Sequence, residues 1–231
     1  MGWTMEFALP DGANEAGHSG KGYLAMPHAP TGAETAPGVV VLHEWWGLNA
    51  HMRSVCDDLA AQGFCALAPD LYGGEVATDH DSAAELMGAL DSLAMIRTVV
   101  RGAAQVLANG QRRVSVMGFC MGGAVTILAG IHVPEFSGAV CFYGIPAAHR
   151  GDPGAVQVPL MGHFAQHDEW CTPAAVDALE LRLGEGGVAH RLHRYDAQHA
   201  FANATRPEVY DAEAAALAWS RTLPFLRDGT F

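Results

Sequence analysis

Three residues of this chain have the types that make a nucleophile, an orienting acid and a base: Cys120, Asp168 and His199. Cys120 sits in Gly118-Phe119-Cys120-Met121-Gly122-Gly123. Residues 113–117 before it read as a strand, and 124–129 after it as a buried helix. A strand, a Gly-x-Cys-x-Gly turn and a helix form a sharp elbow that holds its central residue in a strained backbone conformation. Small residues at Gly118 and Gly122 relieve the crowding that follows. The helix N-terminus points its N–H groups at the nucleophile, which favours a thiolate and, later, an oxyanion. The same pattern also suits a small, inert core Cys in a Gly-rich turn, so the remaining chain has to decide.

A thiol nucleophile needs a base to take its proton and a third group to orient that base. Asp168 is expected to accept from one nitrogen of His199, with the other nitrogen facing the sulfur. Taken singly, Asp168 reads as a loop acid or helix cap and His199 as a loop histidine. The chain order Cys, Asp, His is the one used by α/β-hydrolases, and it favours the triad.

The elements that must position these residues follow from periodicity. Residues 21–26, 39–43, 64–68, 113–117, 138–144, 159–164 and 189–195 read as strands. The β-branched run at 39–43 suggests burial on both faces, as in a parallel sheet. Helices are expected at 51–62 behind the N-cap Asn49, at 82–108 with a break at Asp91-Ser92, from the elbow to near Gly130, from Thr172-Pro173 to Gly184, and from near Pro207 to Leu226. Residues 1–19 are weakly patterned and pair at most at an edge, and a Pro/Gly-rich loop runs from Pro27 to Pro37. Strands alternating with helices predict an α/β fold: one domain over 1–231, mainly parallel, with helices on both faces. Ligands of such sheets bind at the C-terminal strand ends, where the elbow, Glu44, Asp168 and His199 all fall.

Composition narrows the function classes. A formal charge of −12 argues against nucleic acid or an anionic membrane as partner. Fifty per cent hydrophobic and 16% charged residues describe a globular chain. The N-terminus has no signal-peptide pattern, and no apolar run is long enough to span a bilayer. Five cysteines without a CxxC pair suit a reducing cytoplasm. Cys56, Cys65 and Cys141 occupy apolar positions and are expected to be inert, whereas Cys171 falls in a loop. Twelve histidines show neither HExxH nor a tight cluster, so neither metal nor cofactor is expected.

Across residues 22–225 the chain resembles the dienelactone hydrolase family of α/β-hydrolases. The resemblance rests on HEWWGLN at 43–49, APDLYGG at 68–74, GFCMGG at 118–123, CFYG at 141–144, HFAQHD at 163–168 and HAFAN at 199–203. It implies Cys120 as nucleophile, His199 as base and Asp168 as orienter. It implies that Glu44 meets the resting thiol and helps switch it to thiolate when substrate arrives, because a carboxylate beside a thiol opposes ionisation until it is moved or protonated. The oxyanion hole is expected from the backbone N–H groups of Trp45 and Met121. Trp45, Trp46, Tyr72, Tyr143, Trp170 and Phe201 are candidate walls of an apolar pocket, although aromatic burial needs no ligand. Two departures from the family pattern stand out. Ala165 occupies a position where Gly is common. Pro173 lies five residues after Asp168 rather than four, which leaves Glu169 as a competitor for the orienting role.

The expected function is therefore hydrolysis of an ester or lactone through a thioacyl-enzyme, on a small-molecule substrate. A catalytically idle fold that binds a small ligand or a protein is the alternative, and a thiol redox protein is disfavoured by the lack of a second Cys beside Cys120. Relatives that act on dienelactone hold its carboxylate with arginines after the DLY stretch and after the histidine. Here Gly73, Gly74 and Glu75 follow Leu71-Tyr72, and the nearest cation after His199 is Arg206. Neutral or weakly polar substrates are expected, since a buried carboxylate without a cation is costly.

Overall fold

The computed structural model describes residues 2–10, 19–27, 36–108 and 113–231. Most of the Pro/Gly-rich loop and residues 11–18 lie outside the described residues. The weakly patterned N-terminus contributes a strand, β1 (Trp3–Phe7), antiparallel to β2 (Gly20–Ala25). β3 (Gly38–Leu42), α1 (Ala50–Ala61) and β4 (Cys65–Pro69) follow. Every residue of β3 and β4 is buried, as an apolar run covered on both faces requires. The Asn49 side chain caps α1 by accepting from the Met52 N–H at 3.1 Å.

The helical stretch after β4 is interrupted as its composition predicts. α2 (His80–Ala89) ends at Leu90, and the Asp91 side chain caps α3 (Ser92–Met95). A π-helical turn (Ile96–Val100) joins α3 to α4 (Arg101–Ala108). β5 (Val114–Phe119), α5 (Met121–His132) and β6 (Ala139–Phe142) come next, then two 3-10 turns (Ala148–Arg150 and Pro153–Ala155). β7 (Leu160–His167), α6 (Pro173–Glu185), β8 (His190–Gln198) and α7 (Ala212–Asp228) complete the chain. α7 starts five residues later than Pro207 suggests. Residues 203–210 instead form hydrogen-bonded turns, and Asp211 supplies the cap to the Ala214 N–H at 2.9 Å.

The sheet has eight strands in the order β1-β2-β4-β3-β5-β6-β7-β8, parallel from β4 to β8. Alternate strand residues feed two cores. Val40 and Leu42 pack with α3, α4, α5 and α6, whereas Val39 and Val41 pack with α1 and α7. The α/β sheet with helices on both faces is thus as expected. The chain steps from β3 to β4 in one direction and then to β5 in the other, so β3 and β5 are neighbours across a topological switch point. A crevice opens at the C-terminal ends of such a pair. Glu44 follows β3 and Cys120 follows β5. Among the described residues no helix is long and apolar enough to cross a membrane.

Candidate active site

Cys120 is held at φ 53°, ψ −116°, a conformation L-residues rarely adopt. Its own N–H donates to the Phe142 carbonyl at 3.0 Å, and its carbonyl accepts from the Ala124 N–H at 3.1 Å. The two glycines do what the elbow requires. A methyl at Gly118 would collide with the Gly122 carbonyl, and one at Gly122 with the Leu42 carbonyl. The first turn of α5 therefore lies directly on the end of β3, which brings Cys120 beside the Glu44 loop.

His199 follows β8 and Asp168 follows β7. His199 Nε2 lies 3.3 Å from Cys120 Sγ, and His199 Nδ1 lies 2.7 Å from Asp168 Oδ2. The other Asp168 oxygen accepts from the N–H groups of Trp170 at 2.7 Å and Cys171 at 2.8 Å. Burial alone would disfavour a charged His199, but the bonds to Asp168 and Cys120 outweigh it and hold the ring well above the usual imidazole range. Asp168 is likewise pushed up by burial, yet the His199 contact and the two N–H donors hold it below its ordinary value. The extra residue before Pro173 does not displace the acid: Asp168 meets His199, while Glu169 is exposed at the cavity edge.

Glu44 is buried, and its partner is not the thiol. Its Oε2 accepts from Asn203 Nδ2 at 2.7 Å. This departs from the direct Glu44–Cys120 meeting that the family resemblance implies. The amide of Asn203 competes for the carboxylate, and Asn203 is itself held by Thr205, whose N–H and hydroxyl donate to Asn203 Oδ1 at 3.0 and 2.6 Å. Burial pushes the Glu44 carboxyl up to about 7, against the Asn203 bond. Behind it His43 is fully buried. Its Nε2 accepts from the Leu71 N–H at 3.2 Å, so its Nδ1 carries the proton and donates to the Glu44 carbonyl at 2.6 Å. Burial pushes His43 down to about 4.

Two adjoining cavities meet at Cys120 and His199, of about 370 and 430 Å³. Glu44, Trp45, Trp46 and Arg206 line the first, Met121 and Tyr143 the second, and Trp170 both. Neither the Trp45 nor the Met121 N–H donates to a protein acceptor among the described residues. Two expected wall residues line neither cavity. Phe201 is fully buried beneath the site against Tyr143 and Tyr195, and Tyr72 packs edge-on against His43 with its hydroxyl 3.1 Å from Met121 Sδ. Cys171 falls in a loop as expected but is buried, and so are Cys56, Cys65 and Cys141. His43, Asn203, His80 and Met87 escaped the sequence reading. His43 and Asn203 lay in quoted motifs, HEWWGLN and HAFAN, and His80 and Met87 lay in none.

Among the described residues no group of three or more His, Cys, Asp or Glu is placed to hold a metal ion. The family model of the dienelactone hydrolase family matches residues 21–229. "Protein usf" of Aquifex pyrophilus is 31% identical over 239 residues, covering 99% of each chain. "Putative carboxymethylenebutenolidase" of Aquifex aeolicus is 29% identical over 238 residues, covering 98% of each. The crystal structure of "Putative Dienelactone Hydrolase from Klebsiella pneumoniae subsp. pneumoniae MGH 78578" superimposes with a TM-score of 0.84, covering 99% of each chain at 24% identity, a likeness of fold. With the match running from β2 to the end of α7, this chain belongs to the dienelactone hydrolase family.

Proposed function

We propose that this protein hydrolyses carboxylic esters or lactones through a thioacyl-enzyme on Cys120, with His199 as base and Asp168 as its orienter. The observation that carries the reading is the chain of contacts from sulfur to carboxylate: 3.3 Å from Cys120 Sγ to His199 Nε2, then 2.7 Å from His199 Nδ1 to Asp168 Oδ2. The names of the carboxymethylenebutenolidase relatives support the same class.

Asp168 and the sulfur both favour a protonated His199, so His199 takes the Cys120 proton through the 3.3 Å contact and leaves a thiolate beside an imidazolium. The thiolate attacks the carbonyl carbon. The oxyanion takes the N–H groups of Trp45 and Met121, and losing one such donor typically costs about 3–4 kcal/mol of transition-state stabilisation. The C–O bond breaks, the leaving oxygen takes the His199 proton, and a thioester remains. A water then gives a proton to His199 and attacks the thioester, releasing the acid and restoring the pair. Glu44 tunes the pair by charge: ionised, it opposes the thiolate, and protonated it does not. Its buried position and its hold by Asn203 support that role.

A p-nitrophenyl acetate assay on wild type and Cys120→Ala tests the class. Wild type is expected to turn over and the variant to fall to the uncatalysed rate; equal rates would end the thioacyl reading. Neutral substrates are expected to exceed carboxylated analogues in kcat/KM. Arg206 lines the 370 Å³ cavity, but its Nε donates to Glu208 at 2.8 Å and its charge faces Glu44. A carboxylated ester winning by about tenfold, equivalent to about 1.4 kcal/mol, would mean that Arg206 is free to pair with substrate.

A further inference from the structure

The two cavities at Cys120 differ in chemistry, and the reaction assigns them different halves of the substrate. The smaller one is built largely by the histidine's own loop and the Glu44 loop: Gln198, Ala200, Arg206 and Val209 join Glu44 and Trp46. It is rich in charge and hydrogen-bonding groups. The larger one runs along the first turns of α5 and under the loop after β6. Met121, Ala124, Val125 and Leu128 form one side, and Ile145 and Pro146 the other. Its charged lining residue other than the His199 it shares is Arg150, whose Nη1 donates to the Ser92 hydroxyl at 2.6 Å.

The leaving oxygen must take its proton from His199, so the alcohol half belongs in the lobe that the histidine loop encloses. That lobe also suits the water that later attacks the thioester. The acyl half stays on Sγ through both steps. The remaining space in contact with Cys120 is the apolar lobe, where a hydrocarbon loses contact with water without stranding a polar group.

Resting on the thioacyl reading above, we propose that the 430 Å³ lobe is an acyl-chain pocket, and that the enzyme selects esters by a medium-length apolar acyl chain rather than by the alcohol. Each methylene buried in the transition state favours it by about fourfold, equivalent to about 0.8 kcal/mol. The experiment has two series, run below the solubility limit of each ester. One varies the acyl group on a constant leaving group: p-nitrophenyl acetate, butyrate and hexanoate. The other varies the alcohol on a constant acyl group: methyl, butyl and hexyl butyrate. Ala147→Trp, on the exposed lip of the lobe, and Ala124→Leu, beside its floor, narrow the space at two independent places.

In wild type, kcat/KM should rise at least about tenfold from acetate to hexanoate and stay nearly level along the alcohol series. In each folded variant the hexanoate-to-acetate ratio should fall to about threefold or less. A flat acyl series, a preference that follows the alcohol, or an unchanged ratio in both variants overturns the assignment. Cys120→Ala, run beside these, separates the two levels. Hydrolysis that survives in Cys120→Ala removes the thioacyl reading itself, whereas Cys120-dependent hydrolysis with a flat acyl series removes the acyl pocket alone.

Discussion

His199 and His163 are each hydrogen-bonded through both ring nitrogens, and they are held in opposite states. His199, at the rim of the sheet, lies between Asp168 and the Cys120 sulfur. His163, in the core beneath, lies between the Tyr195 hydroxyl at 2.7 Å and the Thr222 hydroxyl at 2.9 Å, with the Phe142 ring 4.5 Å away. Burial disfavours charge on both rings. At His163 nothing opposes it, and the nearby His193 and Arg221 add repulsion, so the ring is held well below the usual range. At His199 a carboxylate and an ionisable thiol reverse the balance. The number of hydrogen bonds therefore does not mark a histidine for proton transfer. The charge of its partners does.

The sharpest way to break that comparison is to remove each ring in turn. His199→Ala should lower kcat by at least about a hundredfold with little change in stability. His163→Ala should do the reverse, losing about 3 kcal/mol of stability through a cavity and a stranded Thr222 hydroxyl, while the Tyr195 hydroxyl keeps its bond from Arg221. Urea unfolding and kcat per folded molecule measure both. A folded His163→Ala protein with a hundredfold lower kcat would erase the distinction.

The partner rule can be tested next at the acid. Asp168→Asn should lower kcat by about a hundredfold or more, because an amide neither fixes the tautomer nor balances an imidazolium. Glu169→Gln, one residue on and solvent-exposed, should change it by only about twofold. Equal losses in the two variants would reopen the choice between them.

A further contrast lies in how stability depends on pH, and concerns Glu44. Its carboxyl ordinarily titrates at 4.5 and in the fold is pushed up to about 7 by burial. Between these values the native state holds a proton that the unfolded chain has released. The stability Glu44 contributes is thus complete below about 4.5 and is lost as pH rises through about 7. The amount lost approaches about 3 kcal/mol. His43 has the opposite slope: pushed from 6.5 to about 4, it contributes stability above 6.5 that is lost as pH falls through about 4. Urea titrations of wild type and Glu44→Gln from pH 5 to pH 8 isolate the Glu44 part. Their stability difference should change with pH in that direction, and a difference independent of pH would mean that Glu44 is ionised throughout.

Much of this molecule was legible in its sequence because the relevant physics is local. A Gly-x-Cys-x-Gly turn between an apolar strand and an apolar helix can hardly be built otherwise, since any side chain at 118 or 122 meets a backbone carbonyl. Asn49, Asp91 and Thr172 cap the helices that their positions announced, because a cap bonds to N–H groups two or three residues on. The continuous apolar runs of β3, β4 and β5 required cover on both faces and received it. What escaped depends on residues far apart in the chain. Asn203 reaches Glu44 across 159 positions, and nothing in HAFAN says which acid it would meet. Trp170 and Phe201 make the point most simply. Each is an aromatic residue two places after a member of the constellation, and both read as pocket walls. Asp168 takes the Trp170 N–H and the indole is left 73% exposed over the cavity, whereas the left-handed turn at Ala200 sends Phe201 under the sheet rim to complete exclusion from solvent. Spacing brought both aromatics to the site; only the packing of β7 and β8 against their neighbours decided which faces substrate and which the core.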